Sequence, residues 1–274
     1  MPEAIIRNPL VADRFYPGRP QEIKKQVETF LKKFPSREKV DAVGVVSPHA
    51  GYIYSGSVAA RVLSHVNLKR RIIILGPNHT GIGAPFSIMR EGLWRLPAGD
   101  VEIDTELADM LLDRSSLLKD DPSAHQHEHS IEVQIPIIQV LSEMAFKIVP
   151  ITIMGSRISE LKSLGEAIGS VVKEKRAEVL IVASSDMTHY EPQDTAEEKD
   201  RKAIDAILRM DPEGLIEEVE KSRISMCGCA PVAIMLFASK LVGATRGELV
   251  AYQTSGDVSG DRSSVVGYAG AIIR

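Results

Sequence analysis

Three short apolar runs stand out along the chain, and each ends in the same way. Residues 43–46 break into Ser47-Pro48-His49-Ala50-Gly51, residues 72–75 into Gly76-Pro77-Asn78-His79-Thr80-Gly81, and residues 179–183 into Ser184-Ser185-Asp186-Met187-Thr188-His189-Tyr190. A short apolar run closed by Pro, Gly or Ser reads as a buried strand entering a loop. In open α/β sheets, ligands bind beyond the carboxyl ends of the strands. Each of the three strands therefore delivers a histidine to the edge where ligands bind.

The rest of the pattern fills in around these strands. Ile23, Val27, Phe30 and Leu31 repeat with a helical period and predict a helix over 20–34. Ser55 or Ser57 is the expected cap of a helix through 58–63. Residues 86–95 should contain a strand that carries the single Trp, Trp94, and 101–104 alternate like a half-exposed strand. Thr105 is the expected cap of a helix over 106–112, and Ser130 of one through Ile137, Ile138 and Leu141. Further helices are expected over 158–172, 195–210, 212–221 and 231–242, with strands over 146–153, 249–254 and 265–273. No linker, repeat or low-complexity segment interrupts the series, so 1–274 reads as one domain. Alternating strands and helices predict a three-layer α/β fold, a central largely parallel or mixed sheet flanked by helices.

Composition narrows the function. An apolar fraction of 44% in 274 residues supports a full core, and a net charge of -4 offers no general attraction to nucleic acid or to an anionic membrane. No apolar run approaches the roughly 18–20 residues that span a bilayer. The first residues lack the apolar core of a signal peptide, so a cytoplasmic protein is expected. The only cysteines, Cys227 and Cys229, flank one glycine; a disulfide between them would be strained, and free thiols in a reducing compartment fit better.

The candidate chemistry gathers in the loops. His49, His79 and Cys227 combine imidazole and thiolate, a donor set suited to zinc, copper or iron. Cys227 also precedes a predicted helix, whose positive end favours thiolate. The alternative is that each histidine only hydrogen-bonds its own turn. Asp186 and His189, three residues apart, could pair as orienter and general base. Alternatively Asp186 or Thr188 caps a turn and His189 faces solvent. In the polar stretch 120–129, His125 and His127 read as solvated, whereas Glu128, His129 and Glu132 lie at a helix start that could face the same pocket. Ser184, Ser185, Asp186 and His189 supply the residue types of a metal-independent hydrolase, but Ser184 lacks the G-x-S-x-G elbow. No phosphate-binding loop or dinucleotide fingerprint is present.

SPHAGYIYSG, LGPNHTG, EHSIEVQIP, SSDMTHY, the CG of MCGCAP and the terminal VVGYAG together resemble the Memo family, also called AmmeMemoRadiSam system protein B. The resemblance runs from RFYPG to the last strand. It implies a fold similar to the class III extradiol, LigB-like dioxygenases, with one pocket at a strand-end edge. It also implies that His49, His79 and Cys227 are pocket residues and metal ligands, with Asp186 and His189 beside them as catalytic groups. A cysteine departs from the two-histidine, one-carboxylate set of those dioxygenases and favours other redox chemistry. Cys229 and the VADRFYP lead-in are local departures from the family's usual pattern. The expected function is metal-dependent redox chemistry, possible oxidoreductase activity with iron or copper as cofactor. The family's association with signalling supports a rival, a non-enzymatic peptide- or protein-binding module using the same pocket. The partner is a small molecule or a peptide, with no nucleic acid and no membrane.

Overall fold

The structure is a computed structural model that describes residues 5–32, 35, 37–175 and 178–274. Four parallel strands form its centre, in the order Gly44–Ser47, Val179–Ser184, Arg71–Pro77 and Lys147–Ile153. Apart from Arg71 and Lys147 at their starts, every residue in them is buried. That is why they read as unbroken Val/Ile runs rather than alternating ones.

Antiparallel neighbours make the sheet mixed. Val265–Ile273 lies beside Gly44–Ser47, and both Gly247–Thr254 and His189–Glu191 pair with it. At the other side Phe86–Ile88 pairs antiparallel with Lys147–Ile153. The helices Pro20–Lys32, Tyr52–Ser64 and Gln134–Leu141 pack on one face, and Thr105–Arg114, Ile158–Glu174, Gln193–Leu208, Pro212–Lys221 and Cys229–Val242 on the other. The three-layer α/β expectation therefore holds. Among the described residues no helix is long and apolar enough to cross a membrane.

Local chemistry moved several expected boundaries. The helix expected behind Ser55 or Ser57 begins at Tyr52, because the Tyr52 ring is buried and its hydroxyl donates to the Val133 carbonyl at 2.8 Å. Ser55 instead donates to the Ala50 carbonyl. Asp104, not Thr105, caps the helix Thr105–Arg114, accepting from the Leu107 N–H. Ser130 caps nothing: its hydroxyl donates to the Pro77 carbonyl, and the helix starts at Gln134. The stretch 86–95 divides between two sheets, with Leu93–Trp94 in a small one beside Ile6–Arg7 and Val101–Glu102. The expected end of the first helix at Phe34 lies outside the described residues.

Arg7 ties that small sheet to the main body. Its side chain is fully buried and paired with Glu132, also fully buried. Its Nε donates to the His125 carbonyl at 3.1 Å and its Nη2 to the Glu128 carbonyl at 2.6 Å, while the guanidinium lies 4.4 Å from the Trp94 ring centroid. Glu132 also accepts from the backbone N–H groups of Leu10 and Val11 and from the Tyr16 hydroxyl at 2.7 Å. Removing one partner of such a pair strands the other's charge in the interior. Arg7→Met should therefore cost about 3–5 kcal/mol in urea unfolding. A loss below about 1 kcal/mol would show that Glu132 needs no buried cation.

Candidate metal centre

Strand register brings the first two loops together. Ser47 pairs with Ser184, so His49 and Asp186 each lie two residues past neighbouring strand ends. Asp186 Oδ1 accepts the His49 N–H at 2.8 Å and the Ala50 N–H at 3.3 Å, and Oδ2 lies 4.0 Å from His49 Nε2. His79 follows the neighbouring strand Arg71–Pro77. The segment carrying His129 then crosses over that strand at Gly76. A Cβ there would meet Ser130 Oγ at 2.5 Å and Ile131 Cγ1 at 2.8 Å, so only glycine allows this approach.

His49, His79 and His129 meet at one point, with one ring nitrogen of each within 4.8 Å of the others. The His79 and His129 rings stack at 4.9 Å, and His49 stands edge-on to both. Phe15 closes one side, 5.0 Å from the His129 ring. Cys227 Sγ comes to 3.4 Å from His49 Nε2. The histidines, Asp186 and His189 line one cavity of about 470 Å³.

The hydrogen bonds fix the tautomers. The Ser184 hydroxyl gives its proton to the Ser130 carbonyl at 2.7 Å and accepts from Gln134 Nε2 at 2.8 Å. His49 Nδ1, 2.9 Å from the same oxygen, must therefore be the protonated nitrogen. His79 Nδ1 faces Glu128 Oε1 at 3.0 Å and likewise carries the proton. Both rings are left with an unprotonated Nε2, that of His49 facing the Cys227 thiol, the arrangement seen when a metal-binding histidine gives its other N–H to a fixed acceptor.

Charge follows from these contacts. Burial works against ionisation of Glu128, but the His79 hydrogen bond and charge and the Ser130 and His79 N–H groups outweigh it and hold the carboxyl at about 2. Burial pulls His79 down, yet Glu128 outweighs that and raises it. Burial, then the neighbouring His129 and His79, push His49 well below its ordinary value, and burial lowers His129 too. Burial raises Asp186 despite the His49 N–H it accepts. The Cys227 thiol is pushed up by burial and then by Asp186, and burial lifts Cys229 to about 12. The dipole of the helix Cys229–Val242 does not overcome this, and without a metal the thiol form of both cysteines is favoured.

His189 reaches the same cavity, but Asp186 does not orient it. Its N–H donates to Ser225 Oγ at 2.7 Å, and its Nδ1 faces the Ser225 carbonyl at 2.9 Å. A carbonyl only accepts, so His189 Nδ1 is protonated and Nε2 is free. Ser225, two residues before Cys227, carried no sequence signal. His125 is not solvated: it is fully buried, 6.1 Å from the Trp94 ring, because Arg7 draws its carbonyl inward. His127 is exposed, as expected. Ser184 and Ser185 are fully buried, and the Ser185 hydroxyl donates to the Asp186 carbonyl at 2.8 Å, so neither can present a nucleophile.

A mixed α/β sheet whose strand-end loops gather three histidines able to hold a metal defines the class: an α/β protein with a candidate metal pocket at one edge of its sheet. The sequence matches the family described as Memo-like protein over residues 7–272, and the chain belongs to that family. It is 44% identical to a MEMO1 family protein of Methanopyrus kandleri over 98% of this chain and 99% of that one. It is 43% identical to a MEMO1 family protein of Methanocaldococcus jannaschii, again over 98% and 99% of the two chains. Its fold is similar to the crystal structure of an uncharacterized protein from Escherichia coli K12, with a TM-score of 0.51 and 12% identity over 84% of this chain and 98% of that one.

Protonated, half-buried thiols react slowly with alkylating agents. In metal-free protein at pH 8, iodoacetamide should label Cys227 and Cys229 at least about tenfold more slowly than in urea-unfolded chain. Labelling of Cys227 as fast as in the unfolded chain would show a thiolate already present.

Proposed function

We propose that this protein binds iron or copper in the pocket, with His49 and His79 as neutral imidazole ligands and Cys227 as a thiolate, and performs metal-dependent redox chemistry on a small molecule. The observation that supports this most is the pair of locked Nδ1–H groups on His49 and His79, which leave Nε2 of each ring unprotonated, with the Cys227 sulfur 3.4 Å from that of His49. His129 faces the same point as a further donor. Iron or copper held this way supplies one-electron exchange and open coordination positions.

The remaining roles belong to the chain. Glu128 holds the His79 tautomer and fixes the His129 backbone N–H, 2.8 Å from Oε1. Asp186, raised by burial, can hold a proton beside His49. His189, with Nε2 free, can take a proton from bound substrate. Free thiols suit a reducing compartment, so the cytoplasm is the proposed location. The competing reading, a peptide-binding module without turnover, is favoured by Tyr190, which is 79% exposed at the cavity mouth.

Metal titration of purified variants separates the roles. His49→Ala and Cys227→Ser should weaken binding steeply, and Glu128→Gln by about 10–100-fold through the tautomer it no longer holds. His189→Ala should keep the metal and remove any oxygen-dependent activity that the metal-loaded wild type shows. If His189→Ala loses metal as badly as His49→Ala, His189 is a ligand. If Cys227→Ser binds iron or copper as well as wild type, the redox reading fails and the binding module becomes the better account.

Binding must also remove the Cys227 proton. Affinity should therefore rise more steeply with pH in wild type than in Cys227→Ser. Equal slopes would show that no thiol proton is displaced.

A further inference from the structure

The terminal motif VVGYAG has no part in the metal centre, yet it reaches the same cavity. Val266 and Tyr268 share one face of the strand Val265–Ile273 and line that cavity, whereas Gly267 between them packs closely on Asp200. Tyr268 is only 2% exposed, but among the described residues its hydroxyl has no hydrogen-bond partner. The phenol lies within electrostatic reach of Asp186, Tyr54 and Tyr190. The oxygen itself is not among the buried unpartnered atoms, so it opens to the cavity, where a ligand's polar group can meet it.

The surrounding wall says which group. Tyr54 and Tyr190 line the mouth, and Tyr190 holds φ at +58°, a left-handed backbone that is costly for a non-glycine residue. Asp261, a solvent-exposed residue, also lines the cavity, its Oδ1 taken up by the Ser263 N–H at 2.9 Å and hydroxyl at 2.6 Å. No lysine or arginine lines the cavity among the described residues. Aromatic rings with a carboxylate and no cation favour an ammonium group over an anion.

We propose that the part of the cavity lined by Tyr54, Tyr190, Tyr268 and Asp261 is an ammonium subsite: Tyr268 Oη accepts an N–H, Asp261 supplies the opposite charge, and Tyr54 and Tyr190 form the aromatic wall. The small-molecule ligand then carries a metal-binding end and a cationic amine. This rests on the proposed metal pocket only for where the other end of the ligand lies.

Two measurements test it. In metal-free protein labelled with carbon-13 at tyrosine Cζ, n-butylammonium should shift the resonances of Tyr54, Tyr190 and Tyr268, leaving the other three of the six tyrosines unmoved. n-Butyrate should shift none. In metal-loaded protein, 4-aminobutyrohydroxamate should bind at least about tenfold more tightly than glutarate monohydroxamate, and Tyr268→Phe should remove most of that preference. Tyr268→Phe gives up no protein hydrogen bond, so its fold should be intact. The subsite is overturned if butylammonium shifts none of the three resonances, if the anionic hydroxamate binds as tightly, or if Tyr268→Phe matches wild type. If no metal loads while butylammonium still shifts the three tyrosines, the metal reading fails and the subsite stands.

Discussion

The pocket depends on a charge pair that never touches it. Arg7 and Glu132 are both fully buried, and an ion pair costs heavily in desolvation unless its remaining donors and acceptors are also met. Here they are met by backbone: Glu132 takes the N–H groups of Leu10 and Val11, and Arg7 takes the carbonyls of His125 and Glu128. The result is a fixed path for the chain between His125 and Glu132. With its carbonyl held by Arg7, Glu128 turns its carboxylate inward to His79, and His129 arrives against Phe15 and His79. The amino-terminal lead-in is thus a structural strut for the candidate centre.

What was legible in the sequence follows from the range of each interaction. Buried parallel strands leave unbroken Val/Ile runs, so the core strands and the three histidine loops could be read directly. Cys227 is picked out by its donor type and its place before a helix, and the family resemblance agrees; no spacing argument selects it. Capping was misread at Ser55 and Thr105 through local competition, from the Ala50 carbonyl and the adjacent Asp104, and at Ser130 through the distant Pro77 carbonyl. His125 looked solvated because its polar neighbours say nothing of Arg7, which lies 118 residues away. Asp186 and His189 are close in sequence, but strand register gives Asp186 to the His49 loop, and the segment before the helix Cys229–Val242 brings Ser225 to His189. Pairings of that kind are set by which segments lie side by side, and a single sequence does not carry them.

Chemically the pocket combines opposite tendencies. Burial and mutual repulsion keep His49 neutral, while Glu128 favours charge on His79. Burial keeps Cys227 protonated until something displaces the proton. A metal cation would relieve all three at once, since neutral imidazole and thiolate are the forms it binds. The buried Ser184 hydroxyl locks the His49 tautomer and is not presented as a nucleophile.

The ligand set itself is read most directly by X-ray absorption at the metal edge of zinc-loaded protein, zinc serving as a redox-silent probe. Wild type should show imidazole nitrogens at about 2.0–2.1 Å and one sulfur at about 2.3 Å, with the sulfur shell gone in Cys227→Ser. A wild-type spectrum without sulfur, or one unchanged by Cys227→Ser, would contradict the assignment and leave His49, His79 and His129 as the donors.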